Sequence, residues 1–152
     1  MRVLILVDKA VPDTGPHRNV VGNIQALSAR EDVSVSVLCG ESALSAEVLA
    51  RINLQLGFVP RSLLSVFKNL FLVSRALRDI DVVYVPTGLK TFLYAWICKG
   101  LLKNKAILAA GPNVTGIPLL MNIYNPSPLL TSHMADVWIE MSQIRVEQCV
   151  RA

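Results

Sequence analysis

The apolar positions of this chain change period repeatedly. Arg2 to Val7 carries a continuous apolar run, as expected for a strand buried on both faces of a sheet. From His17 to Ala29 the apolar residues Val20, Val21, Ile24 and Leu27 share one helical face. Val33 to Leu38 alternates with period two and is rich in valine, which predicts a second strand. Ser42 is placed to cap a short helix through Arg51, and a further strand is expected around Leu54 to Val59. The pattern then predicts a helix over Arg61–Arg78, a strand over Val82–Val85, a helix over Gly88–Lys103 and a strand over Ala106–Ala110. A Pro- and Gly-punctuated loop follows from Gly111 to Pro128, then a helical turn over Leu129–Met134, a strand over Val137–Met141 and a closing helix from Ser142. Alternating strands and helices predict a Rossmann-like three-layer α/β sandwich with a mostly parallel, doubly wound sheet.

At 152 residues the chain is long enough for one domain with a sizeable core. It is 53% hydrophobic and 17% charged, with a mean hydropathy of +0.48, which predicts that part of its surface meets a partner, a second domain or lipid. No apolar run approaches the roughly 20 residues of a membrane span. The run Phe92–Cys98 is bounded by Lys90 and Lys99, and the first apolar run ends at Asp8, too soon for a secretory signal. Cys39, Cys98 and Cys149 are widely scattered, without the pairing of a disulfide framework or zinc site. A reducing, cytoplasmic setting is the expectation. The closing helix runs to Ala152 where an alternating fold calls for another strand, so the chain reads as cut at the end of a domain, a fragment of a larger protein.

The loop after the first strand, "DKAVPDTGPHRN", restricts the chemistry. A dinucleotide site needs G-x-G-x-x-G there, but Gly15 stands alone and Gly22 already lies inside the helix. No G-K-[ST] of a P-loop is present. Asp8 stands at a strand end, but the strand from Val82 ends in "PTG", without the second acid a phosphoacceptor regulator needs. What remains is Gly15, Pro16, His17, Arg18 and Asn19 at the opening of a helix, whose free N–H groups suit an anion or a sugar oxygen. The plainer reading is that these residues only turn the chain and start the helix.

The opening "MRVLILVDKAVPDTGPHRNVVGNIQALSAREDVSVSVL", the later "DIDVVYVPTG", the segment "NKAILAAGPN" and "ADVWIEMSQIRVEQCVRA" together resemble family-four glycosyltransferases of the GT-B fold, in order and spacing. The resemblance implies the N-terminal, acceptor-side domain of a two-domain enzyme. Such enzymes move a sugar from a nucleotide-sugar donor, held mainly by a C-terminal domain absent from this chain, to an acceptor, usually with retention and without metal or other cofactor. It also implies that the cleft loops are Gly15 to Asn19 and Gly111, Pro112 and Asn113. The family often carries a histidine at the end of the strand matching Ala106–Ala110; here Asn113 is the nearest polar residue, so His17 and Asn113 are the catalytic candidates. Two rivals stand beside this reading: a non-catalytic domain binding a small ligand in the same cleft, and a nucleotide-binding regulator.

Charge is regional. Between Arg61 and Lys105 eight basic residues face two acidic ones, a local charge of +6 in a chain of net +4. Arg61, Lys68 and Arg75 recur every seven residues, flanked by Leu64, Phe71 and Leu72. The next helix adds Trp96 near Lys99 and Lys103, with Phe92 expected on the same side. Basic side chains bordering apolar and aromatic ones suit an anionic membrane surface, which predicts a peripheral protein on the inner face of the cell membrane and a lipid-linked acceptor. Nucleic acid suits them less, since no recognised fold or aromatic RNA motif accompanies them. The plainer reading is two ordinary amphipathic helices with Leu and Phe in the core.

Overall fold

The computed structural model describes residues 1–60, 63–113 and 137–138. Strands β1 (Arg2–Leu6), β3 (Ser34–Cys39), β5 (Ile52–Leu56), β6 (Val82–Thr87), β7 (Ile107–Asn113) and β8 (Val137–Trp138) form one sheet in the order β5-β3-β1-β6-β7-β8. Every pairing in it is parallel, with Val3 opposite both Val35 and Val82. Counted along the chain, this is the 3-2-1-4-5-6 order of a doubly wound sheet. Two short strands, β2 (Lys9–Ala10) and β4 (Glu41–Ser42), pair beyond the ends of β1 and β3.

The unbroken apolar run in β1 follows from burial on both faces. Leu4 and Leu6 pack with Val83, Val85 and Leu108 against Val73, Leu77, Phe92 and Ala95 of helices α3 (Val66–Ala76) and α4 (Leu89–Leu101) and the residue just after α3. Val3, Ile5 and Val7 pack on the other face with Val35 and Val37 against Val20, Ile24 and Val48 of α1 (Gly15–Ser28) and α2 (Ala46–Leu49). Helices therefore cover both faces, which is the three-layer sandwich the pattern predicts.

Several boundaries differ from the sequence reading, each for a physical reason. The strand expected over Leu54–Val59 is β5, two residues earlier, because Gly57 adopts φ +102° and turns the chain out of the sheet. Ser42 pairs in β4 and does not cap; the cap of α2 is Ser45, whose Oγ accepts from Val48 N at 3.5 Å. The helix expected from Arg61 begins with a 3₁₀ turn at Leu63–Ser65, and Arg61 itself lies outside the described residues. Gly111, Pro112 and Asn113, read as the start of a loop, continue β7. Gly111 is needed there for close approach, since a Cβ at that position would sit 2.7 Å from the Pro86 carbonyl oxygen. Phe92, expected beside Trp96 on the surface, is fully buried in the core. The turn at Leu129–Met134, the end of the strand expected to Met141 and the helix from Ser142 lie outside the described residues.

Asn69 was not singled out by the sequence, yet it is the one fully buried polar residue of α3. Its Oδ1 accepts from Val59 N at 3.1 Å and its Nδ2 donates to Val59 O at 2.8 Å, which ties the chain leaving β5 to the helix.

Candidate functional site

In a sheet of this order the direction of winding reverses between β1 and β6, and the crevice beyond their carboxyl ends is where such folds bind ligands. Three segments meet at that edge because their strands are neighbours: the chain from Asp8 to Asn19 after β1, Thr87 and Gly88 after β6, and the end of β7. The depression lined by Asp79, Asp81, Asn104 and Lys105 lies at the opposite edge and takes no part.

After β1 the chain does not turn directly into the helix. Lys9 and Ala10 pair with Glu41 and Ser42, helped by an exposed Lys9–Glu41 ion pair at 3.4 Å, and this lifts Val11–Thr14 above the sheet. Thr14 caps α1, accepting from His17 N at 3.5 Å, and Pro16 is preset for the first turn. Gly15 has open space where a Cβ would stand and no positive φ, so the turn does not require glycine there. Its effect is to leave the helix end unshielded. Arg18 is exposed and its Nε donates to Pro12 O at 3.4 Å; Asn19 is exposed on the next turn.

His17 is held between two carboxylates. Its Nδ1 lies 2.5 Å from Asp13 Oδ1, and its Nε2 lies 3.8 Å from Asp8 Oδ1. In the tautomer that donates from Nδ1 to Asp13, the other ring nitrogen, Nε2, is the one on the side of Asp8. A base oriented by a carboxylate is the arrangement that accepts a proton from a hydroxyl. The His17 hydrogen bond holds the Asp13 carboxyl below its ordinary value of 3.8. What that bond contributes is therefore present above the usual carboxylate range and lost as pH falls through the lowered value. In His17→Ala the Asp13 midpoint, followed by NMR titration, should rise toward 3.8. An unmoved midpoint would mean that the pair does not form in solution.

On the facing side, Thr87 ends β6 at a register shift between Val85 and Thr87. It is only 8% exposed, and its Oγ1 has no hydrogen-bond partner among the described residues. A buried hydroxyl without a partner costs about 1–3 kcal/mol, which a ligand atom can recover. Gly88 follows at φ +85° and opens α4 without a side-chain cap. Two helix amino ends, those of α1 and α4, thus flank the switch point with N–H groups and positive dipole. The backbone of Asn113 pairs in register with Thr87.

Of the residues predicted from sequence, Gly15 to Asn19 and the end of β7 share this edge. Asp8, Asp13 and Thr87 stand at the same edge and are not among the site residues predicted from the sequence; the signal was present as acids flanking the loop and a hydroxyl at a strand end before glycine. Lys68 and Arg75 on α3, with Trp96 and Lys99 on α4 and Lys103 just beyond it, lie on the helices of one outer face and not in the crevice.

No family model and no curated protein matches the chain. Solved structures do. A UDP-N-acetylglucosamine 2-epimerase superposes with a TM-score of 0.63 at 13% identity, over 99% of this chain and 44% of that one. A Listeria monocytogenes protein described as a UDP-N-acetylglucosamine 2-epimerase gives 0.59 at 16% identity, over 99% and 41%. At such identities the likeness defines a fold: a Rossmann-like α/β domain of GT-B type, which these epimerases share with glycosyltransferases. The chain spans less than half the length of either neighbour.

Proposed function

We propose that this chain is the acceptor-side half of a two-domain GT-B-type enzyme that moves a sugar from a nucleotide sugar to a lipid-linked acceptor at the inner face of the membrane. The observation that carries it is the switch-point edge, where His17 bonded to Asp13 follows β1 and a buried Thr87 hydroxyl without a partner among the described residues ends β6, with the amino ends of α1 and α4 at the same edge. The likeness to proteins that act on UDP-N-acetylglucosamine agrees with it.

Each group has a role in that reaction. The second half of the enzyme, not this chain, holds the nucleotide. The amino ends of α1 and α4 face the leaving diphosphate, where negative charge develops and fixed dipoles count most. Thr87 Oγ1 hydrogen-bonds a sugar or phosphate oxygen. His17 Nε2 takes the proton of the acceptor hydroxyl, with Asp13 holding the ring. Asn113 stands at the end of β7 as a further contact to the sugar.

Because donor and acceptor must meet in attack geometry, residues 1–152 alone should turn over no nucleotide sugar. The full-length protein, given UDP-hexoses and a lipid extract, should release nucleoside diphosphate only when acceptor is present. A second reading, epimerisation of the nucleotide sugar, is favoured by the structural neighbours, and the same assay separates it. An isomerised nucleotide sugar without diphosphate release would establish the epimerase and overturn transfer. Saturable binding with no product of either kind would leave a non-catalytic binding domain.

A further inference from the structure

The described residues include an unusual outer face. Leu64 is 99% exposed, Phe67 87% and Phe71 66%. Trp96, Ile97 and Leu101 of α4 are exposed as well. The two helices pack side by side, with Cys98 Sγ 3.6 Å from Leu70 O, so their outer surfaces form one face. At 3.6 residues per turn, Phe67, Lys68, Phe71 and Arg75 fall within an arc of about 100° on α3. The inward side of that helix is occupied by Asn69, Val73 and Ala76, so the exposed phenylalanines cannot be core residues in another register.

Charge decides what such a face meets. Neither Val66–Ala76 nor Leu89–Leu101 contains a single acidic residue. Lys68, Arg75, Arg78, Lys90 and Lys103 border the apolar ridge, and none forms an ion pair among the described residues. A second copy of this chain would set these cations against themselves across a symmetric interface, which opposes self-association. An anionic, partly apolar surface satisfies both features together: basic side chains reach the headgroups while the ridge enters the boundary with the acyl chains. No described helix is long and apolar enough to cross a membrane, so the contact is an interfacial one.

We infer that the outer face of α3 and α4 is a membrane-docking surface that inserts Leu64, Phe67 and Phe71 into an anionic leaflet. The start of α3 lies toward the carboxyl edge of the strands, since a crossover helix runs antiparallel to them, so insertion there sets the crevice close to the bilayer. This gives the deepest contact to Leu64 and Phe67, not to the lysines that the sequence pattern emphasises. The inference is independent of which reaction the crevice performs.

Vesicle co-sedimentation of the full-length protein tests it, with phosphatidylglycerol mixed into phosphatidylcholine against phosphatidylcholine alone. Binding should require phosphatidylglycerol, weaken as salt rises, and fall about tenfold or more in the double variant Phe67→Ser/Phe71→Ser. Lys68→Glu/Arg75→Glu should also bind weakly and lose its salt dependence. Both side-chain pairs point outward, so circular dichroism and thermal melting should match the parent protein. Leu49→Ser, an exposed apolar residue on α2, should bind as the parent does. Equal binding to both kinds of vesicle, no binding to either, or an unchanged Phe67→Ser/Phe71→Ser variant would overturn the inference. So would a dimer in sedimentation equilibrium that the same double variant dissolves, since the ridge would then be a protein interface.

Discussion

Asn69→Ala should lower the stability of this domain by about 2–3 kcal/mol, roughly 5–10 °C in Tm for a chain of this size. Asn69 is fully buried and satisfies both backbone groups of Val59, so truncation removes two hydrogen bonds and leaves a void beneath α3. Val59 lies near the surface, and water can reach part of what the truncation exposes, which keeps the cost from rising further. Asn69→Asp separates the hydrogen bonds from the volume. At neutral pH its carboxylate still accepts from Val59 N but repels Val59 O, and the charge is buried. In acid the protonated carboxyl again donates to Val59 O, so the variant should regain stability as pH falls. Urea titrations at two pH values measure both effects. A loss below about 0.5 kcal/mol in Asn69→Ala would mean that packing around Phe58 alone holds this loop.

The elements that were legible in the sequence are those whose pattern has only one physical solution. Val3–Val7 has no polar position, as burial on both faces requires, and its short length before Asp8 favours a strand over a helix. Val33–Leu38 alternates, and α1 shows its buried Val20 and Ile24 at helical spacing. What escaped the sequence depends on contacts between distant segments. Ile52 to Val59 offers two overlapping runs, and the outcome rests on a positive φ at Gly57. Ser42 and Ser45 are equally good caps in isolation; pairing of Glu41–Ser42 with Lys9–Ala10 removes the first from the contest. Gly111–Pro112 looks like a chain break, yet the backbone of Pro86 lies so close that glycine is what lets the strand continue.

The site divides in the same way. Where to look for it follows from the alternation of elements, because a doubly wound sheet leaves a crevice at the carboxyl ends of its strands. The loop residues Gly15 to Asn19 were therefore within reach of sequence reasoning. Thr87 was not, since the lack of a partner among the described residues for a buried hydroxyl exists only in three dimensions. The outer face shows the limit most plainly. α3 is apolar over most of its circumference, so the sequence could not tell Val73 and Leu77, which face the core, from Phe67 and Phe71, which do not.

If the full-length protein is the glycosyltransferase we propose, His17→Ala should lower its kcat by about 10²- to 10⁴-fold, the range general-base catalysis supplies, with little change in KM for the nucleotide sugar. The split follows from the proposed assignment, in which the donor is held by a second half and His17 Nε2 acts on the acceptor. The fold should be unaffected, because the ring lies at the start of α1 and its polar contacts among the described residues, Asp13 and Asp8, lie at the same edge and outside the core. Asp13→Asn should reduce kcat less, since it removes orientation and charge but leaves the base in place. His17→Gln decides between proton transfer and simple positioning. Glutamine can keep a hydrogen bond to Asp13 and present a polar atom to the acceptor, but it cannot take up a proton. If His17 is the base, Gln should be as slow as Ala; if the residue only positions the acceptor, Gln should recover most of the rate. A kcat within a few-fold of the parent in all three variants would return His17 to the role of an ordinary first-turn residue of α1 and leave the crevice without its base.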